Sequence, residues 1–252
     1  MPPINSIDDV IAALGNIILE SEKNNDTSGF FAALYRKVTV QVKEGIGKNA
    51  FEDGPRMEKL DVIFASRYLD AYHAWKNAEP VSQSWKKAFD SSTHYWPIVL
   101  QHLLMGMNAH INLDLGIAAA AVSKDKNINA LQNDFNKINE ILSSLVNEVQ
   151  NDLAKIWPTL KNILQKTGQA DDFLVDFSMQ LGRDGAWEFA TGIANKTGAE
   201  LNILIEARDK KVAQKTKIIT NPGFIAGLIL GIIRIGERGS VKQKIEQLNN
   251  KL

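Results

Sequence analysis

The sequence predicts an all-α protein: a single-domain bundle of roughly nine to eleven helices with a buried central helix. Apolar residues recur every three or four positions along most of the chain, which is the helical period. Residues 97–122 are apolar nearly all round, as expected of a helix enclosed by others. No Pro/Gly/Ser-rich linker separates two balanced halves, so we expect residues 1–252 to form one domain.

The first two helices are predicted from a cap and from an ambiguous run of valines. Ser6 can cap the first helix, with Asp9 at the capping-box position. The second helix begins near Thr27 and contains KVTVQVKEGI, whose valines alternate as they would in a strand. The chain offers no second alternating segment to pair with such a strand, so we predict a helix there.

Prolines mark the next elements. Pro55 is well placed as the first residue of a helix over residues 55–78. This helix ends before Pro80, because the residue preceding a proline disfavours the α conformation. A short helix over residues 84–89 precedes the apolar segment 97–122.

The strongest helical periodicity lies in residues 128–156, which we predict to be one long amphipathic helix. Further helices are predicted over residues 171–195, 198–216, 223–235 and 241–250. Within GAWEFA we expect Trp187 and Phe189 to pack inward, because buried aromatic residues dominate cores. Glu188 is expected near the central helix or in water.

Composition excludes several classes of protein. Lys plus Arg equals Asp plus Glu, 29 against 29, so no net charge favours nucleic acid or an anionic membrane. Cysteine is absent, which removes disulfides, thiolate ligands and thiol nucleophiles. The apolar stretch 224–235 is shorter than the roughly 20 residues that cross a bilayer, so we predict a buried core helix and no transmembrane segment. Asp8 and Asp9 interrupt the only candidate signal peptide, and we expect a cytoplasmic protein.

The central segment carries polar residues that are unusual for a buried helix: His102, Asn108, His110, Asn112 and Asp114. Burying such groups without partners costs roughly 1 to 3 kcal/mol each. His110 and Asp114 lie one helical turn apart and share a face, as do Asn108 and Asn112. Gly106 opens space between His102 and His110, so that the two imidazoles can share a pocket.

The helix over residues 55–78 offers partners for this segment. Asp61, Tyr68 and Tyr72 share one face of it. Arg67 can neutralise Asp114 or hold an anionic ligand bidentately, and the simpler alternative is a surface ion pair with Asp70. The tryptophans Trp75 and Trp85 are expected in the core.

Four strings together carry a family resemblance: LDVIFASRYLDAYHAW, SWKKAF, HLLMGMNAHINLDLGIA and GAWEFA. In this order they resemble the DUF5995 family of bacterial proteins, whose function is unassigned, and NAHINLDL is the most specific part of the match. The resemblance implies an α-helical protein and supplies no reaction. It points to these motif positions: Asp61, Arg67, Tyr68, His102, Asn108, His110, Asn112 and Asp114.

Three interpretations of the polar residues stay open. The favoured hypothesis is a small-molecule pocket, with or without catalysis, in which His110 and Asp114 do acid/base work. In the second interpretation, the same groups hydrogen-bond one another in a closed polar network, and the chain is a non-catalytic structural or interaction protein. The third is a metal-dependent hydrolase with His102, His110 and Asp114 as ligands, completed by Asp61 or Glu188. No motif such as HExxH supports it, and we expect neither a tightly bound metal nor a cofactor.

In the favoured hypothesis the catalytic pair is accompanied by six binding residues. These are Asp61, Arg67, Tyr68, His102, Asn108 and Asn112. The sequence specifies neither the ligand nor the oligomeric state.

Overall fold

The fold is a bundle of helices. The computed structural model describes residues 3–157, 181–221 and 223–250, and these ranges contain eleven α-helices and no strand. The all-α prediction is confirmed. The helices are α1 (Ile7–Asn24), α2 (Gly29–Gly47), α3 (Gly54–Lys76), α4 (Gln83–Asp90), α5 (Val99–Ala109), α6 (Leu115–Val122), α7 (Gln132–Ile156), α8 (Leu181–Ile193), α9 (Gly198–Thr220), α10 (Phe224–Gly236) and α11 (Val241–Leu248).

Side-chain caps fix where several helices begin. The Ser6 hydroxyl accepts from the Asp9 amide, and the Asp9 carboxylate accepts from the Ser6 amide, so the predicted capping box of α1 is confirmed. At α3, Asp53 accepts from the Arg56 amide, and Pro55 occupies the first turn. Each cap satisfies amides that have no partner within their own helix.

The run of valines in α2 is helical, as predicted. Val42 is buried, whereas Val38 and Val40 are half-buried. The three side chains therefore do not face one side, as they would in a strand. Buried Phe31 and Tyr35 on the same helix point toward the middle of the bundle.

A continuous helical segment formed by α5, a turn at His110–Asp114 and α6 lies at the centre of the bundle. Its residues Leu103, Leu104 and Leu113 are all buried, which confirms the prediction of a central helix. Helices α2, α4 and α9 pack against α5, and α3 and α8 pack against α6. Polar side chains on this segment can therefore reach partners on several helices.

The turn at His110–Asp114 is a π-helix, and the sequence did not predict it. Here the Leu115 amide donates to the carbonyl of His110, five residues earlier. Such wide turns within α-helices are found frequently at functional sites. The turn lies where the polar side chains are densest.

One expectation for the C-terminal half needs correction. The stretch 224–235 is not a fully buried core helix, because Ile232 is 58% exposed and Ile235 81% exposed. Trp187 and Phe189 are half-buried; Trp187 packs against a buried cluster, with its ring 4.9 Å from that of Phe135. Glu188 is exposed, which is one of the two positions expected for it.

The predicted helix 171–195 is described from Leu181 onward, and its first part lies outside the described residues. In the described ranges, no helix combines the length and the apolarity needed to cross a membrane.

We expect Gly106→Ala to lower the free energy of unfolding by about 1 to 3 kcal/mol, as overpacked cores do. A Cβ atom at this position would overlap the ring base of Phe31, which is buried between α3 and α5 and has little room to move. Urea denaturation measures the effect.

The matched control is Gly15→Ala in the middle of α1. There the added Cβ would lie 3.9 Å from Arg36 Nε, an ordinary contact, so stability should rise by about 0.5 to 1 kcal/mol. Equal effects of the two substitutions would show that Phe31 does not constrain Gly106.

Candidate functional site

Asp114 is the centre of the polar cluster. Its carboxylate is fully buried and accepts from two other elements of the fold. Arg67 Nε on α3 donates to Oδ1 at 2.7 Å, and Trp85 Nε1 on α4 donates to Oδ2 at 2.7 Å. Arg67 thus bonds Asp114 and makes no surface pair with Asp70. Because the Arg67 side chain is 33% exposed, it connects the buried carboxylate to the protein surface.

His110 completes this arrangement within its own helix. Its Nδ1 lies 3.2 Å from Asp114 Oδ2, as the spacing of the two residues predicted. The imidazole stacks on the Phe64 ring with centroids 3.6 Å apart, and its edge meets the Tyr35 ring at 4.4 Å. Burial lowers the pKa of His110, although Asp114 opposes this effect. The imidazole is therefore neutral at pH 7.

Several buried polar atoms on His110 and on the residues around it have no hydrogen-bond partner among the described residues. They are His110 Nε2 and the hydroxyls of Tyr35 and Tyr68, whose rings contact His110, together with Asp61 Oδ2, which lies within electrostatic reach of Tyr35. Native proteins leave few such atoms, and each one calls for an explanation. Burial raises the pKa of Tyr35 and of Tyr68 well above the usual value, so both hydroxyls keep their protons.

Asp61 is the second buried carboxyl group of the cluster. Burial, assisted by the nearby charge of Glu58, raises its pKa to about 7. A charge on Asp61 raises the pKa of Tyr35, so the two groups lie within electrostatic reach of each other.

The two asparagines form a separate link to α9. Asn112 Nδ2 donates to Asn108 Oδ1 at 3.1 Å, and Asn108 Nδ2 donates to the Val212 carbonyl at 3.0 Å. Arg208 Nε donates to the carbonyl of Asn112 at 2.8 Å. These bonds hold the π-helical turn against α9. The asparagines therefore position the segment, and no contact among the described residues joins them to Asp114.

His102 does not share a pocket with His110. The space beside Gly106, which was expected to join the two imidazoles, is filled by Phe31. His102 Nδ1 lies 3.4 Å from Ser91 Oγ, and the ring also hydrogen-bonds the Pro97 backbone. Burial, with the positive charge of Arg234, lowers its pKa to about 4. It is a satisfied core histidine beside a small cavity of about 20 Å³, also lined by Tyr68 and Trp85.

The three proposed metal ligands are consequently not grouped. His102 faces Ser91, whereas both oxygens of Asp114 accept from nitrogen donors. Within residues 3–157, 181–221 and 223–250, no three His, Asp or Glu side chains come together as a metal site. Glu188, offered as a fourth ligand, is exposed.

Two features of the cluster were not predicted from the sequence. Trp85 was expected only as a core residue, yet its indole N–H binds Asp114. The aromatic enclosure of His110 by Tyr35 and Phe64 was also not predicted. The only sequence signal for it was the helical spacing of Asp61, Phe64 and Tyr68 along α3.

Comparison with known proteins gives a family and no activity. A family model described as "Family of unknown function (DUF5995)" matches residues 7–222, in agreement with the resemblance noted from the sequence. No curated protein and no solved structure matches the chain.

Proposed function

The chain belongs to the DUF5995 family, whose function is unknown, and we propose from its geometry that it binds a small polar molecule at His110, which acts there as a general base. The observation that carries this proposal is the buried, unpartnered Nε2 of His110, on an imidazole whose Nδ1 is held by Asp114. This combination provides a fixed ring with a free basic nitrogen.

Asp114 and Phe64 prepare the imidazole for this role. Since the carboxylate accepts a hydrogen bond from Nδ1, that nitrogen carries the proton and Nε2 presents its lone pair. The stacked Phe64 ring restricts rotation of the imidazole. The lowered pKa keeps His110 unprotonated at pH 7, which is the state a general base requires.

The unpartnered atoms around His110 supply the binding groups. The hydroxyls of Tyr35 and Tyr68 can donate to ligand oxygens, and the rings of both contact the His110 ring. Asp61 is near half protonation at neutral pH and can accept or donate. A small ligand with hydroxyl, carbonyl or amide groups would satisfy them together.

The competing function is a closed structural network, favoured by the complete satisfaction of Asp114. Its two oxygens accept from Arg67, Trp85 and His110, so this carboxylate needs no ligand. In that case the cluster would fix the packing of α3, α4 and the central segment. The two functions differ in whether a small molecule can reach His110 Nε2.

Reaction with diethyl pyrocarbonate, which modifies neutral imidazoles, distinguishes the two. If the proposal is right, His110 is modified at least about tenfold faster than His102, because its Nε2 has no hydrogen-bond partner and the ligand route admits the reagent. Peptide mass spectrometry at short reaction times assigns the modified residues.

Two internal controls are available. His94 is exposed and reports the activity of the reagent. His102 is buried, at 7% exposed against 2% for His110, and its ring hydrogen-bonds Ser91 and the Pro97 backbone. Equal protection of His110 and His102, in protein whose circular dichroism is unchanged, would refute the ligand site and favour the closed network.

A further inference from the structure

A second site lies away from His110, in an open cleft between α4, the segment 94–97, α9 and α10. The cleft has a volume of about 850 Å³. Pockets that bind small molecules typically enclose about 300 to 1,000 Å³. Neither His110 nor Asp114 lines it, so an inference from the cleft is independent of the function proposed above.

Positive charge is concentrated in this cleft. Lys87 on α4 and Lys210 and Lys217 on α9 line it, and none of the three has a carboxylate partner in the part of the chain that the structure describes. Within the same part, Asp90 is the only acidic residue of the lining, and its carboxylate is held by Lys86. The uncompensated lysines favour an anionic ligand.

Trp96 and residues of α10 also line the cleft. The Trp96 side chain is 66% exposed, and an exposed indole offers a face on which a planar ring can stack. Gly227 and Gly231 lie one turn apart on α10, with no atom within 4 Å of where a Cβ would stand. The backbone of α10 is thus open to a ligand on this side.

The segment that carries Trp96 is fixed in place. Arg234 on α10 donates from Nε to the Tyr95 carbonyl at 2.6 Å, and its guanidinium lies 4.4 Å from the centre of the Tyr95 ring. Because its neighbour Tyr95 is anchored, Trp96 stays beside the cleft even when no ligand is bound. A preformed wall lowers the entropy lost on binding.

We propose that this cleft binds a phosphorylated small molecule that carries a planar ring, such as a mononucleotide. Lys87, Lys210 and Lys217 receive the phosphates, because the ammonium group is a compact charge suited to phosphate oxygens. The ring of the ligand stacks on Trp96. The lysines and Trp96 therefore recognise two different parts of one molecule.

Isothermal titration with ATP, adenosine and tripolyphosphate tests the proposal on the full chain. We expect ATP to bind at a single site and to quench tryptophan fluorescence. Adenosine and tripolyphosphate should each bind at least about tenfold more weakly than ATP, since each lacks half of the contacts. Failure of ATP to bind at millimolar concentration overturns the proposal.

Variants assign the binding to the cleft. Exchanging Lys87, Lys210 and Lys217 together for glutamine should weaken ATP binding at least about tenfold. The control exchanges three exposed lysines outside the cleft, Lys23, Lys124 and Lys126, with the same change in net charge. Equal losses in the two triple variants would show non-specific attraction and overturn the site.

The ring contact has its own test. Trp96→Ala should weaken ATP binding and leave tripolyphosphate binding unchanged, because only ATP carries a ring to stack. An unchanged ATP affinity in this variant would refute the predicted preference for a planar ring. Trp96 is exposed, so the variant is expected to fold. None of these substitutions touches His110, and their failure would leave its proposed role intact.

Discussion

Asp114→Ala is expected to lower the free energy of unfolding by about 3 to 5 kcal/mol. The substitution removes the acceptor for Trp85 Nε1 and for His110 Nδ1, and both donors then remain buried without a partner. Each unsatisfied donor costs about 1 to 3 kcal/mol. The Arg67 charge adds less, because its side chain is one-third exposed and can be rehydrated. Urea denaturation at pH 7 measures the total.

Asp70→Ala is the matched control for this substitution. Asp70 lies on α3 and is exposed, so its loss should change stability by no more than about 0.5 kcal/mol. Arg67→Gln should cost less than Asp114→Ala, since Asp114 keeps the bonds to Trp85 and His110. If Asp114→Ala lowered the free energy of unfolding by less than about 1 kcal/mol, the buried hydrogen-bond network around Asp114 would be contradicted.

Much of the fold could be predicted from local chemistry. The capping box of Ser6 and Asp9 specifies the start of α1 within four residues of chain, and Pro55 does the same for α3. The valines of α2 were harder, because their alternation is typical of a strand. The sequence offers no second segment with which such a strand could pair, and the helix predicted on that ground is correct.

The predictions that failed concern which helices pack against each other and which side chains fill the space between them. The apolar stretch in α10 was expected in the core, yet Ile235 is largely exposed. Hydrophobicity alone does not specify which neighbour covers a helix, and apolar side chains contribute to every protein surface. The pairing of His102 with His110 failed for a related reason, since Phe31 from another helix fills the space beside Gly106.

The sequence predicted the contacts of the candidate site that form between residues of the same helical segment. The bond between His110 and Asp114 follows from their spacing, as does the bond between Asn108 and Asn112. The partner on α4 could not be found in this way. Trp85 precedes Asp114 by 29 residues, and only the packing of α4 against α5 brings the indole N–H to the carboxylate. The π-helical turn likewise has no sequence signature.

The two proposed sites are linked by a physical path through the structure. Ser91 lines the cleft and contacts His102, which faces the small internal cavity. Tyr68 and Trp85 form another wall of that cavity, and Trp85 binds Asp114. Ser91, His102, the small cavity and Trp85 therefore separate a ligand in the cleft from Asp114.

The pKa of Asp61 leads to a pH-dependent difference in stability. The folded protein holds a proton on this carboxyl group up to about pH 7, whereas the unfolded chain releases it near the ordinary value of about 4. Between these two pH values the folded state binds more protons than the unfolded state, so the contribution of Asp61 to stability falls as pH rises. Below about pH 4 the contribution is fully present, and above about pH 7 it is lost.

Asp61→Asn, which keeps the group neutral at every pH, is expected to raise stability by about 1 to 2 kcal/mol at pH 5 and by about 4 kcal/mol at pH 8. Urea denaturation at intervals between pH 5 and 8 measures how this difference grows. Asp70→Asn on the exposed face of α3 should show no such growth, and Glu58→Gln should reproduce part of it by removing the charge that raises the pKa of Asp61. A difference between Asp61→Asn and wild type that is constant with pH would mean that Asp61 ionises normally, and its place among the uncharged groups around His110 would then be wrong.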